Sequence, residues 1–511
     1  MTRATRSERR RQGRSRVGDG VGRRPIALDL ALGLALGTAL VALLLTGCGS
    51  PIPSLFDRGP APAWTKELPP PAEGPIVPEG DLHRAELANG LTLIVLEDHR
   101  LPRVALGLEL RRGAGSVDVA KAGVAELAAE VMQRGAGERD ALELARVVEE
   151  VGARLSVSVG WDTTGIGLAG LSEDRDLLFE ILEDVALRAR FDPAEFEKAR
   201  SEQQAAVLAA QDDPATVVQW RALRVLYDGH RYGLPRMGSA ETLALLQPSD
   251  VRAYWTERFV PEAAIFWAVG DLEAEEVSAE VRRRFGDLPE APPPPGTPAP
   301  PARTPEARRV VIVDDPDLVQ ARIVVAHEGI ARTEPERLSA ALVNDALGGS
   351  GFSSRLMQSI RADAGLTYGV GSGFSMRSQP GPFFVSTFTR VDETRRVVDL
   401  ILAEMRAIQG ERPISKEELQ SFIAYNVGRF SLSLETSEAV LDSLVDLEVH
   451  GLPADSLDTY RTRIRQVDVE DVADAARERL HPGRAAIVVL GPAEELVPQL
   501  EDLGPTRVVE P

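Results

Sequence analysis

"LQPSDVRAYWTERFVPEAAIFWAVGDLEAEEV" (Leu246–Val277) and "VDVEDVADAARERLHPGRAAIVVLGPAEELV" (Val467–Val497) are two versions of one pattern. Each opens on a polar helix start, passes through a turn, climbs an apolar strand and leaves through Gly into an acidic helix start. Asp250-Val251 falls on Asp471-Val472 and Gly270 on Gly491, both 221 positions apart. The same offset lays Glu197, in "FDPAEFEKAR", on Glu418, in "RPISKEELQS". One offset held over about 75 residues indicates a duplicated domain, and the period is too long for a solenoid.

Both copies mix strand and helix periodicities. "LTLIVLED", "VALGLELRRG", "ARIVVAHEG" and "AAIVVLG" read as strands. "DLLFEILEDVALRA", "DPAEFEKARSEQQAAVLAAQ" and "VVDLILAEMRAIQ" carry the 3.6-residue period of helices, and Asp192-Pro193 supplies a cap with proline in the first turn. The fold class that follows is α+β, two homologous α/β sandwich halves. "LPEAPPPPGTPAPPARTPEARR", residues 288–309, has no apolar periodicity and joins the halves as a Pro-rich linker. The halves then span 80–287 and 310–511, and residues 48–79, rich in Pro and Ala, form a tether.

With 511 residues the chain is long enough for two domains. Its net charge of −20 excludes nucleic acid as a partner, because phosphate binding needs a basic surface. The first 47 residues depart from this acidity with nine Arg against three acids. They run into "IALDLALGLALGTALVALLLTGCGS", an apolar stretch ending in small residues, which reads as a secretory signal. The stretch is also long enough to span a membrane. Leu45-Thr46-Gly47-Cys48 decides between the two, because it looks like a bacterial lipobox in which Cys48 is lipidated. Cys48 is the only cysteine, so no internal disulfide and no thiol catalysis are available. Gly49, which is not the Asp that retains lipoproteins in the inner membrane, directs the expectation to an outer-membrane lipoprotein facing the periplasm.

"KAGVAELAAEVMQRGAG" (Lys121–Gly137) has the rhythm of a zinc-peptidase helix without histidine. Two ligands at i and i+4 share one helical face, with a Glu beside the second as general base. The six histidines, 83, 99, 230, 327, 450 and 481, include no pair at that spacing, so neither orientation of a two-His motif exists here.

The first half nevertheless resembles the pitrilysin or insulinase-like metallopeptidases, family M16, most closely their bacterial and mitochondrial-processing-type branch. The resemblance rests on "LANGLTLIVLEDHRLPRVALGLELRRGAGSVD", "QDDPATVV" and "HRYGLPRMGSAETLALLQPSDVRAYWTERFVPEAAIFWAVGDL". Its most specific part lies in the second half, "NDALGGSGFSSRLMQSIRADAGLTYGVGSGF" (Asn344–Phe374). It implies a clamshell of two sandwich halves. On the family's pattern the two His positions hold Glu126 and Glu130, the base position holds Ala129 and the distal Glu position holds Ala206. Glu126 and Glu130 are then either ligands of a weak hard-ion site or solvated and capping charges; Val124, Leu127, Ala128 and Val131 are the buried face.

By the same resemblance Arg361 and Tyr368 match an Arg and a Tyr that complete the active site from the non-catalytic subunit of heterodimeric members. A Tyr hydroxyl or a guanidinium stabilises a carbonyl that becomes an oxyanion. The plainer alternative pairs Arg361 with Asp363 or another surface acid and half-buries Tyr368 in a strand. "GVGSG" is expected to mark close backbone packing on a strand. The resemblance therefore implies no cofactor in this chain, zinc in a partner M16 subunit and a peptide or unfolded-protein substrate; the lipobox implies attachment to the membrane through a lipid. The other reading is a catalytically inactive periplasmic peptide-binding or scaffold protein on the same fold.

Overall fold

A computed structural model describes residues 75–78, 80–299 and 307–510. The signal segment, Cys48 and the tether through residue 74 lie outside the described residues, as does the middle of the linker.

The first half contains β1 (Leu82–Glu86), β2 (Thr92–Glu97), β3 (Arg103–Leu110), the short pair β4 (Gly135–Ala136) and β5 (Arg139–Asp140), β6 (Arg154–Val159), β7 (Thr164–Leu171) and β8 (Ala264–Gly270). The second contains β9 (Arg309–Asp314), β10 (Gln320–Glu328), β11 (Val370–Phe374), β12 (Pro382–Arg390), β13 (Ala486–Gly491) and β14 (Thr506–Val509). The helices used below are α1 (Val124–Met132), α2 (Pro193–Gln211), α3 (Pro214–Leu226), α4 (Pro248–Thr256), α5 (Ala274–Phe285), α6 (Lys416–Leu432), α7 (Ser437–Val449) and α8 (Val469–Arg479).

The sheets run β1-β2-β8-β3-β7-β6 and β11-β12-β10-β13-β9-β14. Without the edge strands β1 and β14 they are one topology: β2-β8-β3-β7-β6 repeats as β9-β13-β10-β12-β11. In each, the closing strand pairs parallel with the first strand and antiparallel with the second. Register agrees too: Val269 faces Ala105, and Leu490, its counterpart in the repeat, faces Arg322.

The repeated Asp and Gly have physical roles. Asp250 accepts from the backbone N–H of Gln247 at 2.8 Å, and Asp471 from that of Asp468 at 3.0 Å, each reaching back to cap its own helix. Gly270 has φ 120°, and a Cβ there would lie 2.1 Å from the Arg103 carbonyl oxygen.

One pairing from the constant offset is corrected. Asp192 caps α2 and Ser415 caps α6, which makes Glu418 the third helical residue, equivalent to Glu195 rather than Glu197. The buried Phe196 and Leu419 follow in step. A longer approach to α6 shifts the register by two, and α6, shorter than α2 by two residues, restores it.

One face of each sheet is covered by helices of its own half, forming two apolar cores. The other faces are covered by exchange. Val217, Val218 and Ala222 of α3 pack on Val311, Val313, Val324 and Val488 of the second sheet. Val440, Leu441, Leu444 and Val445 of α7 pack on Ile94, Leu96, Ile265 and Val269 of the first. Helices α3 and α7 hold matching places after α2 and α6, so the duplicates swap covers, and burial of these apolar faces binds the halves together.

The linker is docked where it is described: Arg112 donates to the Pro294 carbonyl at 2.7 Å, and His230 Nε2 lies 2.9 Å from the Pro298 carbonyl oxygen. At the other end Ile76 donates its N–H to Asp458 of the second half at 2.6 Å.

Candidate functional site

Helix α1 starts at Gly123, φ 97°, where a Cβ would press on the Met237 carbonyl at 2.7 Å. Val124, Leu127, Ala128 and Val131 are buried as the pattern requires, and Ala129 is buried with them. Glu126 stands in the first turn, 3.5 Å from the Arg236 guanidinium. Burial pushes its carboxyl above the usual range, against the pull of Arg236 and Arg231.

Glu130 accepts from Arg134 at 2.6 Å, and Arg134 reaches on to Glu202 of α2 at 2.5 Å. Glu202 lies one turn before Ala206, which is exposed on the same helix. A guanidinium thus bridges the two helices that carry the degenerate ligand positions. Zinc does not fit these residues: Ala129 and Ala206 offer no base and no ligand, and each remaining carboxylate faces an arginine. The charges on α1 are those of ion pairs.

The Gly-rich segment of the second half is built for rigidity. Asp345 begins a wide π turn (Asp345–Gly349), and its buried carboxylate accepts from Asn426 at 2.6 Å. Asn344 accepts from the Ser372 hydroxyl at 2.7 Å. Gly348 lies directly on β11, where a Cβ would come within 2.5 Å of Ser372 Oγ. Arg355 is locked on Glu418 at 2.8 Å and on the Pro413 carbonyl at 3.0 Å.

The backbone on either side of Tyr368 is pinned: Thr389 donates to the Leu366 carbonyl at 2.7 Å and Thr387 to that of Gly369 at 2.8 Å. Tyr368 itself projects outward, 82% exposed. Arg361, on a second π-helical stretch (Met357–Asp363), stacks over the exposed Phe352 ring at 4.6 Å. Asp363 accepts from Gln358 instead, so the Arg361–Asp363 pairing is not formed, and Tyr368 is not half-buried. "GVGSG" lies on β11 and does pack closely against backbone, but the glycine that makes the contact possible is Gly348 on the facing segment. Gly371 and Gly373 have no neighbour nearer than 3.7 and 3.9 Å to a Cβ, and the crowded glycines are Gly348 and Gly349. No hydrogen bond or ion pair among the described residues joins Arg361 or Tyr368 to Glu126 or Glu130.

A further feature was not read from the sequence. A cavity of about 580 Å³ lies between the first sheet and α7, lined by Glu109, Trp161, Trp267, Arg332, Asp442 and His450 among others. Gly165 makes room for it: a Cβ there would fall 2.1 Å from Glu109 Oε2. Burial, helped by the nearby Asp442, pushes the Glu109 carboxyl up to about 7. His450 sits 3.2 Å from Asp446 and 3.6 Å from Asp162. Against the downward pull of burial, these carboxylates raise it to about 9. The available signal was an acid in mid-strand facing glycines on its neighbour.

Comparison with known proteins fits this frame. Residues 93–240 match the family described as Insulinase (Peptidase family M16), and residues 246–424 match the Peptidase M16 inactive domain. The chain belongs to peptidase family M16.

Among M16 relatives, an uncharacterized zinc protease of Streptomyces coelicolor is 24% identical over 419 residues, 81% of this chain and 91% of that protein. The uncharacterized zinc protease YmxG of Bacillus subtilis is 21% identical, over 78% of this chain and 95% of its own. The fold superposes on a peptidase M16 inactive domain from Pseudomonas fluorescens with TM-score 0.74, at 24% identity, covering 80% of this chain and 98% of that one. The periplasmic protease PqqL from Escherichia coli gives TM-score 0.67 at 17% identity, over 84% of this chain and 49% of that one. No helix among the described residues is long and apolar enough to cross a membrane.

Proposed function

We propose that this chain is the non-catalytic, lipid-anchored subunit of a two-chain M16 zinc peptidase in the cell envelope. The observation that carries the reading is a contrast within one molecule. The metal-side positions are occupied by alanines and by glutamates facing arginines, while Tyr368 stands exposed on a braced segment and Arg361, stacked on Phe352, forms no ion pair with an acid among the described residues. A partner subunit contributes the two His, the base Glu, the ligand Glu and the zinc. This chain contributes a hydroxyl and a guanidinium to the substrate's reacting carbonyl and part of the wall around an unfolded peptide. Cys48 carries the lipid, and the assembly faces the periplasm from the outer membrane.

The reading is tested by reconstituting the lipidated chain with its partner and comparing wild type with Tyr368→Phe. Turnover falls while the zinc held by the partner subunit is unchanged. Equal turnover in the two proteins removes Tyr368 from the reaction.

A second reading, peptide capture without cleavage, draws on the cavity under α7, whose two tryptophans and raised carboxyl suit a bound peptide side chain. Cleavage-free binding by the isolated chain, with no zinc-bearing partner, favours it.

A further inference from the structure

Outside these regions, metal-ligating side chains meet at one corner of the first half. Glu97 ends β2, His99 follows two residues later, and Glu273 stands between β8 and α5. The strands are parallel neighbours in register, Glu97 opposite Gly270, so both exits open on the same edge. One ligand atom from each of the three residues lies within 4.8 Å of the others. His99 Nε2 is 4.0 Å from Glu97 Oε2 and 4.0 Å from Glu273 Oε1. That separation is too long for a hydrogen bond. Donors about 2.0–2.2 Å from a tetrahedral zinc stand about 3.3–3.6 Å apart, so a small closing of these exposed side chains brings the three atoms onto one ion.

Each ligand is oriented or left free by what stands behind it. His99 Nδ1 lies 2.9 Å from Asp271 Oδ1, and Asp271 Oδ2 accepts from Ser172 at 2.8 Å. A proton on Nδ1 leaves the Nε2 lone pair directed at the two glutamates, the arrangement by which a carboxylate behind a histidine prepares it for a metal. Glu97 Oε1 accepts the Ala274 N–H at 2.7 Å and faces His83 Nε2 at 3.3 Å, which leaves Oε2 for the site. Glu273 precedes α5 but makes no side-chain cap, so its carboxylate is uncommitted. A cavity of about 560 Å³ alongside, lined by Ile76, Asp98, His99 and Ser437, opens the site to water.

We propose that Glu97, His99 and Glu273 form a binding site for a divalent ion of the zinc class, with Asp271 and His83 as positioning residues. One imidazole and two carboxylates leave coordination positions for water. The ion ties the exits of β2 and β8 together beside the segment where the tether enters the first half. It is this chain's own ion, separate from any zinc held by a partner.

The test uses the full-length chain in detergent, stripped with chelator and titrated with zinc chloride by calorimetry, with metal content measured after dialysis. Wild type takes up one zinc per chain. His99→Ala and Glu273→Gln lose it, Asp271→Asn binds about 10–100-fold more weakly, and the double variant Glu126→Gln/Glu130→Gln binds as wild type. Zinc raises the melting temperature of wild type and not of His99→Ala. No zinc uptake by wild type, or undiminished uptake by His99→Ala, overturns the proposal. Loss of uptake in the Glu126/Glu130 variant also overturns it and assigns the ion to α1 instead, which contradicts the reading of α1 above.

Discussion

Replacing His450 with Gln removes a positive charge that joins the two halves. His450 lies at the end of α7, with Nδ1 3.2 Å from Asp446 and Nε2 3.6 Å from Asp162 of the first half. Asp162 also accepts the N–H of Ser378, from the second half, at 3.0 Å. The folded protein holds the His450 proton up to about 9, against an ordinary value of 6.5. A group whose folded value is raised stabilises fully below its unfolded value, and that stability is lost as pH rises through the folded value. The gap between 6.5 and about 9 corresponds to about 3 kcal/mol. The ring is 10% exposed, so screening by water takes little from this. Urea unfolding followed by tryptophan fluorescence measures it, because Trp161 lines the same cavity. At pH 6 the variant is less stable than wild type by about 3 kcal/mol, and the difference closes as pH passes 9. Asp162→Asn flattens the same pH dependence. Parallel stability profiles for wild type and His450→Gln between pH 6 and 10 refute the reasoning.

Tyr368→Phe leaves the unfolding free energy within about 0.5 kcal/mol of wild type, because the side chain is exposed. It lowers kcat of the assembled peptidase by about 10²–10³, the usual loss for one oxyanion donor, read by peptide cleavage. Leu444→Ala, buried between α7 and the first sheet, destabilises by about 2–5 kcal/mol in the same urea assay. Glu126→Gln/Glu130→Gln leaves cleavage by the complex unchanged, because those carboxylates face arginines and not substrate; a loss of cleavage measured in that variant returns α1 to the reacting centre.

The duplication was legible because its markers answer to local physics. Asp250 and Asp471 close capping boxes, and the glycine at Gly270 ends a strand where no side chain fits, so both positions survive while the intervening text changes. The α1 face was legible from its period alone. The slip at Glu197 came from counting along the chain across connections, which change length cheaply; only the caps at Asp192 and Ser415 fix where each helix begins. The exchange of α3 and α7 was not legible. "VVQW" and "AVLDSLV" show apolar faces, but nothing local tells a face which half it will cover. The same limit applies to the cluster at His99, whose partner Glu273 lies far along the chain and arrives through the parallel pairing of β2 with β8. Arg361 and Tyr368 were found by resemblance; the exposure of Tyr368, the bracing beside it by Thr387 and Thr389 and the stacking of Arg361 on Phe352 come from the structure.

As proposed, this chain is the silent half of a two-chain peptidase. The decisive experiment is gentle-detergent isolation of the protein from its native cells, with co-purifying chains identified by mass spectrometry and the eluate assayed for peptide cleavage. A stoichiometric M16 partner carrying His-x-x-Glu-His, with cleavage abolished by chelator, is the expected result. A chain that purifies alone, with no cleavage at any zinc concentration, contradicts it.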